Sequence, residues 1–233
     1  TMSYFDFKQF RIYHDRCAMK VGTDGVLLGA WADFSKSKRI LDVGCGCGLI
    51  SLMAAQRSQA EITGIDIDAC AAEQAEENVK HSPFASRIQI ASTDILRYNE
   101  SHKFDTIISN PPFFIEDTLS PNAKRSIARH ASSLHFEDLI SKCVTLMSPE
   151  ASLQIIIPSL NVKIFRDLCT LNGLSLLRKT DVLTKQDAQP KRTLLHFIKT
   201  KGATKPQLTQ ITLLNRNGEK TLEYTKLTRD FYL

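Results

Sequence analysis

The run Lys38-Arg-Ile-Leu-Asp-Val43, followed at once by Gly44-Cys-Gly46-Cys-Gly48, constrains this chain most. A short apolar run stopped by alternating glycines reads as a strand entering a tight loop. Leu49 to Ser58 behind it carries Leu49, Leu52 and Met53 on one stripe, the pattern of a helix. Glycines at that junction let the backbone turn sharply and let a ligand approach the main chain. The helix start adds free N–H groups and a positive dipole end. A second strand, Glu61 to Asp66, ends on a carboxylate that can accept two hydrogen bonds from ribose hydroxyls.

The alternation continues along the chain. Asp68 to His81 is an Ala- and Glu-rich helix with Asp68 as N-cap, ended by Ser82-Pro83. Strands are expected at 87–91 and 104–109, a helix at 136–147, an apolar strand at 151–157 stopped by Pro158, and a helix at 161–171 closed by Asn172-Gly173. Runs 174–182 and 192–200, joined by a Lys/Gln/Asp/Pro loop, suit an antiparallel pair. Repeated strand–helix units imply an α/β fold: a doubly wound, mostly parallel seven-stranded sheet with an antiparallel C-terminal strand pair. No linker divides the chain, so residues 1–233 read as a single domain. Within it, 1–37 form an N-terminal extension packing at the cofactor site, and 206–233 a C-terminal hairpin and tail turning at Asn217-Gly218. Residues 116–134 show no clear periodicity and read as a long loop beside the site.

Two details separate this loop from a dinucleotide site. Its spacing is G-x-G-x-G rather than G-x-G-x-x-G, and Asp42 stands two residues ahead of the first glycine. A pyrophosphate there would be repelled by that carboxylate. S-adenosylmethionine carries an ammonium and a sulfonium instead, and Asp42 would favour both. Asp94, past the third strand, is placed to reach an adenine amino group, or else simply caps the segment Ile95–Tyr98. Thr23-Asp24, opening the run Thr23–Trp31, either caps an ordinary packing helix or also touches the methionine end of the cofactor.

Asn110-Pro111-Pro112-Phe113 follows the fourth strand. Asn and Pro are common turn formers, so these residues alone read equally as a turn closing that strand. Beside a methyl donor they read as a clamp for a flat amine. Asn110 Oδ1 and the Pro111 carbonyl would accept both N–H groups and stabilise the charge developing on nitrogen. Pro111 has a nearly fixed φ and pushes Asn110 into an extended conformation. Phe113 or Phe114 would stack on the ring, worth roughly 1–3 kcal/mol for a base on an aromatic side chain. A base reached this way must leave its stack, which is cheapest in a single-stranded loop.

Together with the blocks Phe5–Phe10, Cys17–Trp31, Ala128-Arg-His130 and Leu227–Leu233, these motifs resemble the bacterial tRNA1(Val) (adenine(37)-N6)-methyltransferase family over nearly the whole chain. The resemblance implies a Rossmann-like class I methyltransferase acting on N6 of an adenosine beside the anticodon. S-adenosyl-L-methionine would be its cofactor and S-adenosyl-L-homocysteine its product, with no metal. Its catalytic residues would be Asn110, Pro111 and Phe113. Its cofactor-binding residues would be Lys20, Thr23, Asp42, Gly44, Gly46, Asp66, Ile67, Asp94, Ile95 and Asn110. The partner would be tRNA, handled by a cytoplasmic monomer with no membrane contact.

Phe113, Phe114, Lys124, Arg125 and Arg129 are the residues expected to meet the RNA, because they follow the amine clamp directly. Lys191 and Arg192, the group Lys199, Lys201 and Lys205, and the N-terminal Arg11, Arg16 and Lys20 are further candidates. A net charge of +5 suits a polyanionic partner without establishing one. The six cysteines lack paired C-x-x-C spacing, which speaks against a zinc site or disulfide framework. No apolar run of membrane-spanning length and no signal pattern at the N-terminus are present.

Other readings remain. Methylation of a protein glutamine uses the same clamp but calls for a large partner-binding domain, and only residues 1–37 precede the first strand. DNA adenine methylation calls for a target-recognition insertion that is not visible. A non-catalytic RNA-binding module of this fold would have no need of Asp42, Asp66 and Asn110. An NAD-dependent dehydrogenase is disfavoured by Asp42.

Overall fold

The computed structural model describes residues 3–17, 19–111, 135–200, 202 and 205–233. Strands β1 (Tyr4–Asp6) and β2 (Arg11–Tyr13) form a small antiparallel sheet of their own. The main sheet contains β3 (Arg39–Val43), β4 (Glu61–Asp66), β5 (Ile88–Ser92), β6 (Phe104–Ser109), β7 (Met147–Pro158), β8 (Leu174–Lys185), β9 (Arg192–Lys199) and β10 (Gln207–Leu214). Its order is β10-β8-β9-β7-β6-β3-β4-β5. Only β9 runs against its neighbours; β10 pairs parallel to β8.

The doubly wound class and the antiparallel pair at 174–200 are as the sequence implies, and the main sheet holds eight strands because residues 207–214 add an edge strand. The expected C-terminal hairpin is reduced to a tight turn at Asn215–Glu219 and a single bridge, Leu214 to Lys220. A helix follows that turn.

Alternate residues of each strand feed two cores. Ile40, Ile62, Ile108, Ile156 and Leu194 face one side. There they meet α1 (Thr23–Trp31), α2 (Leu49–Arg57), α3 (Ala69–Lys80) and the C-terminal α6 (Leu222–Thr228). Leu41, Val43, Ile107, Leu153 and Leu195 face the other side, covered by α4 (Phe136–Leu146) and α5 (Val162–Leu171). Strict period-2 alternation with apolar residues on both faces is what a sheet buried on both sides requires. α1 crosses α2 closely: a side chain at Gly29 would sit 2.6 Å from Met53 Sδ.

The chain ends meet. Lys8 N–H donates to Phe231 O (2.9 Å), and Tyr232 stacks on Phe7 with centroids 6.1 Å apart. Phe10 in turn stacks on Phe7 at 4.9 Å. The N-terminal strap is thereby held from below by the C-terminal tail and from the side by α3, where Asn78 Oδ1 accepts Tyr13 N–H (2.9 Å) and Gln74 Oε1 accepts Arg16 N–H (2.8 Å).

Candidate active site

After β3 the chain goes outward through β4 and β5, then returns to place β6 on the other side of β3. At such a reversal the loops leave in opposite directions and open a crevice at the strand carboxyl ends. Ser109 Oγ donates to Val43 O (2.8 Å) and ties β6 to β3 at that point. A cavity of about 630 Å³ lies above it. Its wall takes in the strap Met19–Gly25, the loop Val43–Cys47, Ile65–Asp68 after β4, Thr93–Ile95 after β5, and Ser109–Pro111 after β6.

Gly44, Gly46 and Gly48 all have positive φ (70°, 55° and 83°), which explains the alternating glycines. The loop's N–H groups turn inward. Gly44 and Cys45 donate to Ile65 O, Gly46 donates to Asp66 Oδ2 at 2.8 Å, and Gly48 donates to Cys45 O. Four of the loop's amides are thereby engaged within the protein rather than offered to a pyrophosphate, a second argument against a dinucleotide. Asp66 Oδ1 accepts Asp68 N–H at 2.9 Å, so the carboxylate is fixed from both sides while each oxygen retains a lone pair for a hydroxyl.

Most of the residues expected to bind the cofactor come together on this wall: Lys20, Thr23, Gly44, Gly46, Asp66, Ile67, Asp94, Ile95 and Asn110 all line it. Ile67 is 74% exposed, a large apolar side chain offered to the cavity rather than to the core. Asp94 lines the cavity, and its Oδ1 accepts Leu96 N–H at 2.9 Å, so it caps the segment after β5. Thr23 is not a cap: Gly22 holds that position without a side-chain bond, and Thr23 is the first residue of α1.

Asp42 departs from expectation. Its side chain lies beneath the loop, fully buried and off the cavity wall, where Oδ2 accepts Ser51 Oγ–H at 2.7 Å and Oδ1 has no partner. Strand alternation is the reason. Leu41 and Val43 occupy the other face, so Asp42 must point toward α2. A side chain at Gly64 would come within 3.0 Å of Ser51 Oγ, so glycine there leaves room for the pair. Burial pushes the Asp42 carboxyl up to about 7, so near neutral pH it is no longer a full negative charge facing a cation.

Asn110 and Pro111 stand at the β6 end, with Asn110 Oδ1 buried and unpartnered. Gly25 of α1 makes the seat: a Cβ there would lie 4.0 Å from Asn110 Nδ2 and 3.0 Å from Leu49 Cδ2. Pro112, Phe113, Phe114, Lys124, Arg125, Arg129 and His130 lie outside the described residues.

Several basic candidates are engaged elsewhere. Arg192 Nε donates to Asp24 Oδ2 (2.8 Å), pinning the start of α1 to β9 at the cavity rim. Lys199 Nζ donates to Val144 O (3.0 Å) and Met147 O (3.2 Å), at the opposite edge of the sheet from the site. Arg11 pairs with Asp6 and Arg16 with Glu77. Lys191 is exposed at the carboxyl edge, and Lys201 lies outside the described residues.

Reading the sequence missed His14, Cys17, Gly25 and Cys47 as parts of this site. His14 Nδ1 accepts Val21 N–H (3.2 Å) and Nε2 meets Ser3 Oγ (2.7 Å), fixing the strap's curvature. Burial, then the nearby Lys20, holds this imidazole below its usual range. For Cys17 and Gly25 the signal was present in the Cys17–Trp31 block, which is dense in residues that neither charge nor periodicity explains; His14 and Cys47 lie outside it. Among the described residues no group of His, Cys, Asp and Glu is placed to hold a metal ion.

Residues 21–138 match the model of the methyltransferase small domain. The tRNA1(Val) (adenine(37)-N6)-methyltransferase of Bacteroides fragilis is 44% identical, covering 100% of this chain and 99% of that one. The protein of the same name from Parabacteroides distasonis is 45% identical over 99% and 98%. Among solved structures, a predicted O-methyltransferase of Agrobacterium tumefaciens superposes with a TM-score of 0.68 at 21% identity, covering 89% of this chain and 96% of that one. An open sheet with an acid-lined nucleoside crevice at its reversal point, and no phosphate cradle, defines the class: an S-adenosylmethionine-dependent methyltransferase. Within that class, the chain belongs to the tRNA1(Val) (adenine(37)-N6)-methyltransferase family.

Proposed function

We propose that the protein methylates the exocyclic N6 of adenosine 37 in the anticodon loop of tRNA1(Val). The observation that carries this reading is the unpartnered, buried Oδ1 of Asn110 at the cavity wall. A buried carboxamide oxygen without a donor costs about 1–3 kcal/mol, and a ligand N–H removes that cost.

S-adenosylmethionine supplies, when bound, a methyl group made electrophilic by its sulfonium. Asp66 would hold the ribose hydroxyls, Asp94 the adenine amine, and Ile67 and Ile95 the faces of the adenine ring. Lys20 and Thr23 would sit at the methionine end. Asp42 would act through its place beneath Val43 and Gly44, bracing the loop with Ser51 rather than touching the cofactor. Asn110 Oδ1 and the Pro111 carbonyl would accept the two hydrogens of N6. That draws the nitrogen lone pair out of ring conjugation and stabilises charge where it develops. Rigid Pro111 keeps both acceptors in place as the amine approaches. Phe113 and Phe114 would stack on the extruded base, with Lys124, Arg125 and Arg129 on flanking phosphates. The reading takes the protein as a cytoplasmic monomer. Among the described residues no helix is long and apolar enough to cross a membrane.

The test is incubation with labelled S-adenosylmethionine and unmodified tRNA, followed by nucleoside digestion. N6-methyladenosine at one anticodon-loop position is expected. Label in protein, or tRNA binding without methyl transfer, would replace this reading by a glutamine methyltransferase or a binding module. Changing Lys124 and Arg125 together to Ala should weaken tRNA binding and reduce its salt slope by about two, one per lost phosphate contact. An unchanged slope removes that segment from the interface.

A further inference from the structure

Two thiols on the cavity wall have no part in that chemistry. Cys17 comes from the N-terminal strap and Cys47 from the glycine loop, and both line the cofactor cavity while being buried from bulk solvent. Each thiol is the largest influence on the other's ionisation, so the two sulfurs are neighbours on that wall. The segments that carry them are tied together by one residue: Asn78 Nδ2 donates to Tyr13 O (2.8 Å) and to Cys47 O (2.9 Å). The strap and the loop therefore already meet at this pair.

Cys47 also stands at the start of a helix. Gly48 is the N-cap of α2, so the Cys47 sulfur lies at the helix start, where the Leu49 amide favours its thiolate. Helix N-termini and neighbouring donors stabilise a thiolate. The Cys17 thiol, then the Leu49 amide, hold Cys47 below the usual thiol range against the cost of burial. Cys17 is pushed the other way, chiefly by its neighbour Cys47 and by burial, with Asp66 and Asp68 adding to it. One sulfur is thus poised to attack and the other keeps its proton. The other buried cysteines differ. Cys143 and Cys169 sit in the opposite core, where burial pushes Cys143 up to about 12 and Cys169 upward too, and Cys45 is raised by burial and by Asp42.

We infer that Cys17 and Cys47 are a peroxide-oxidisable dithiol inside the cofactor cavity, and that their disulfide clamps the strap onto the glycine loop. The Cys47 thiolate attacks one oxygen of hydrogen peroxide. An S–O bond forms, the O–O bond breaks, and hydroxide leaves to take up the proton that Cys47 gave. The Cys17 sulfur then attacks the Cys47 sulfur. The S–S bond forms, the S–O bond breaks, and the departing hydroxide leaves as water with the Cys17 proton. Two thiols lose two electrons and the peroxide becomes two waters.

A covalent S–S bond of about 2 Å replaces a non-bonded contact and draws the two walls together. Lys20, Thr23, Gly44 and Gly46 lie within a few residues of the two sulfurs along the chain and move with them. The coupling is reciprocal: a ligand filling the cavity opposes closure, and closure opposes the ligand.

The experiment uses the full chain with Cys70→Ser, which removes the exposed thiol. It is treated with limiting hydrogen peroxide with and without S-adenosylhomocysteine, then mapped by mass spectrometry without reductant. A Cys17–Cys47 linkage is expected, formed at least about fivefold more slowly with ligand, the low end of ordinary site-to-site coupling. Oxidised protein should bind S-adenosylhomocysteine at least about fivefold more weakly by calorimetry, with affinity restored by dithiothreitol. Adding Cys17→Ser should leave Cys47 as a sulfenic acid captured by a dione probe. Should that variant fail to fold, the map of the parent decides. Cys47 remaining a thiol, oxidation without linkage to Cys17, or linkage with unchanged ligand affinity would each overturn the inference. None of these readouts depends on which acceptor is methylated.

Discussion

The two ends of α1 are built on opposite plans. At its start, Thr23, Asp24 and Gly25 enter the cofactor cavity, and the nearby buried acceptor Asn110 Oδ1 on that wall has no donor. At its end, polar groups equally deep are tied off. Gln154 Oε1 accepts Asp33 N–H (2.8 Å) and its Nε2 donates to Asp33 O (2.7 Å). Trp31 Nε1 donates to Thr180 Oγ1 (2.9 Å), and Arg178 stacks 3.7 Å above the Trp31 ring while donating to Trp31 O. Arg178 Nε is left over there, and so is Gln56 Oε1 beside Arg57, which itself donates to Gly29 O and Ala32 O. Buried polar groups are nearly always paired, so the orphan Asn110 Oδ1, which alone of the unpaired acceptors lies on the cavity wall, marks where a ligand belongs. The other end holds the helix in place.

The largest effect should appear when the two ends are titrated against each other. Asp42 is raised from 3.8 to about 7, so between those values the folded state holds more protons than the unfolded one, and stability falls as pH rises. His196, edge-on to Trp31, is lowered by burial from 6.5 to about 4; there the unfolded state holds more protons, and stability rises with pH. At 1.36 kcal/mol per pK unit these amount to about 4 and about 3 kcal/mol in opposite directions. Below about pH 6.5 they nearly cancel. Asp42→Asn should expose the rising slope and His196→Gln the falling one, measured by urea unfolding without ligand. Matching slopes in both variants would break the contrast.

Asn110→Ala should lower kcat by about 10²–10³-fold, the usual cost of removing one preorganised acceptor or donor at a reacting group. Cofactor affinity should stay within a few-fold by calorimetry; affinity lost with turnover intact would assign Asn110 to the cofactor instead. Gln154→Ala should do the reverse. It strands the N–H and C=O of Asp33 at about 1–3 kcal/mol each, so stability should fall by a few kcal/mol with kcat unchanged. The smallest effect is expected at Gly25→Ala. The new methyl crowds Leu49 at 3.0 Å and touches Asn110, so kcat should drop several-fold while the midpoint of thermal unfolding holds or rises. Alanine in place of glycine in a helix gains up to about 1 kcal/mol.

Much of this was legible in advance. The glycine loop, Asp66 and Asp94 announced themselves because local spacing alone creates their geometry. The placing of Asn110 and Pro111 beside the cavity, at the end of β6, was legible too. What escaped depends on contacts distant along the chain. Asp42 was read as a partner for the cofactor, yet the phase of β3 turns it toward Ser51, and phase relative to two buried faces is not written in a continuous apolar run. β10 pairs parallel to β8 because the chain reverses twice between them, once before and once after the antiparallel β9, and nothing local in residues 207–214 says so. Lys199 looked like surface charge but caps Val144 and Met147 carbonyls across the sheet. The Cys17–Cys47 pair exists only once α3 has gathered both segments.

The meeting of the chain ends has a consequence for synthesis. The strap that walls the cofactor cavity is translated well before two of its anchors, Phe231 and Tyr232, which lie more than 200 residues further along the chain. The central sheet can assemble while the chain is still growing. The strap can first settle on α3 through Asn78 and Gln74, and it gains its second anchor only when translation reaches Phe231.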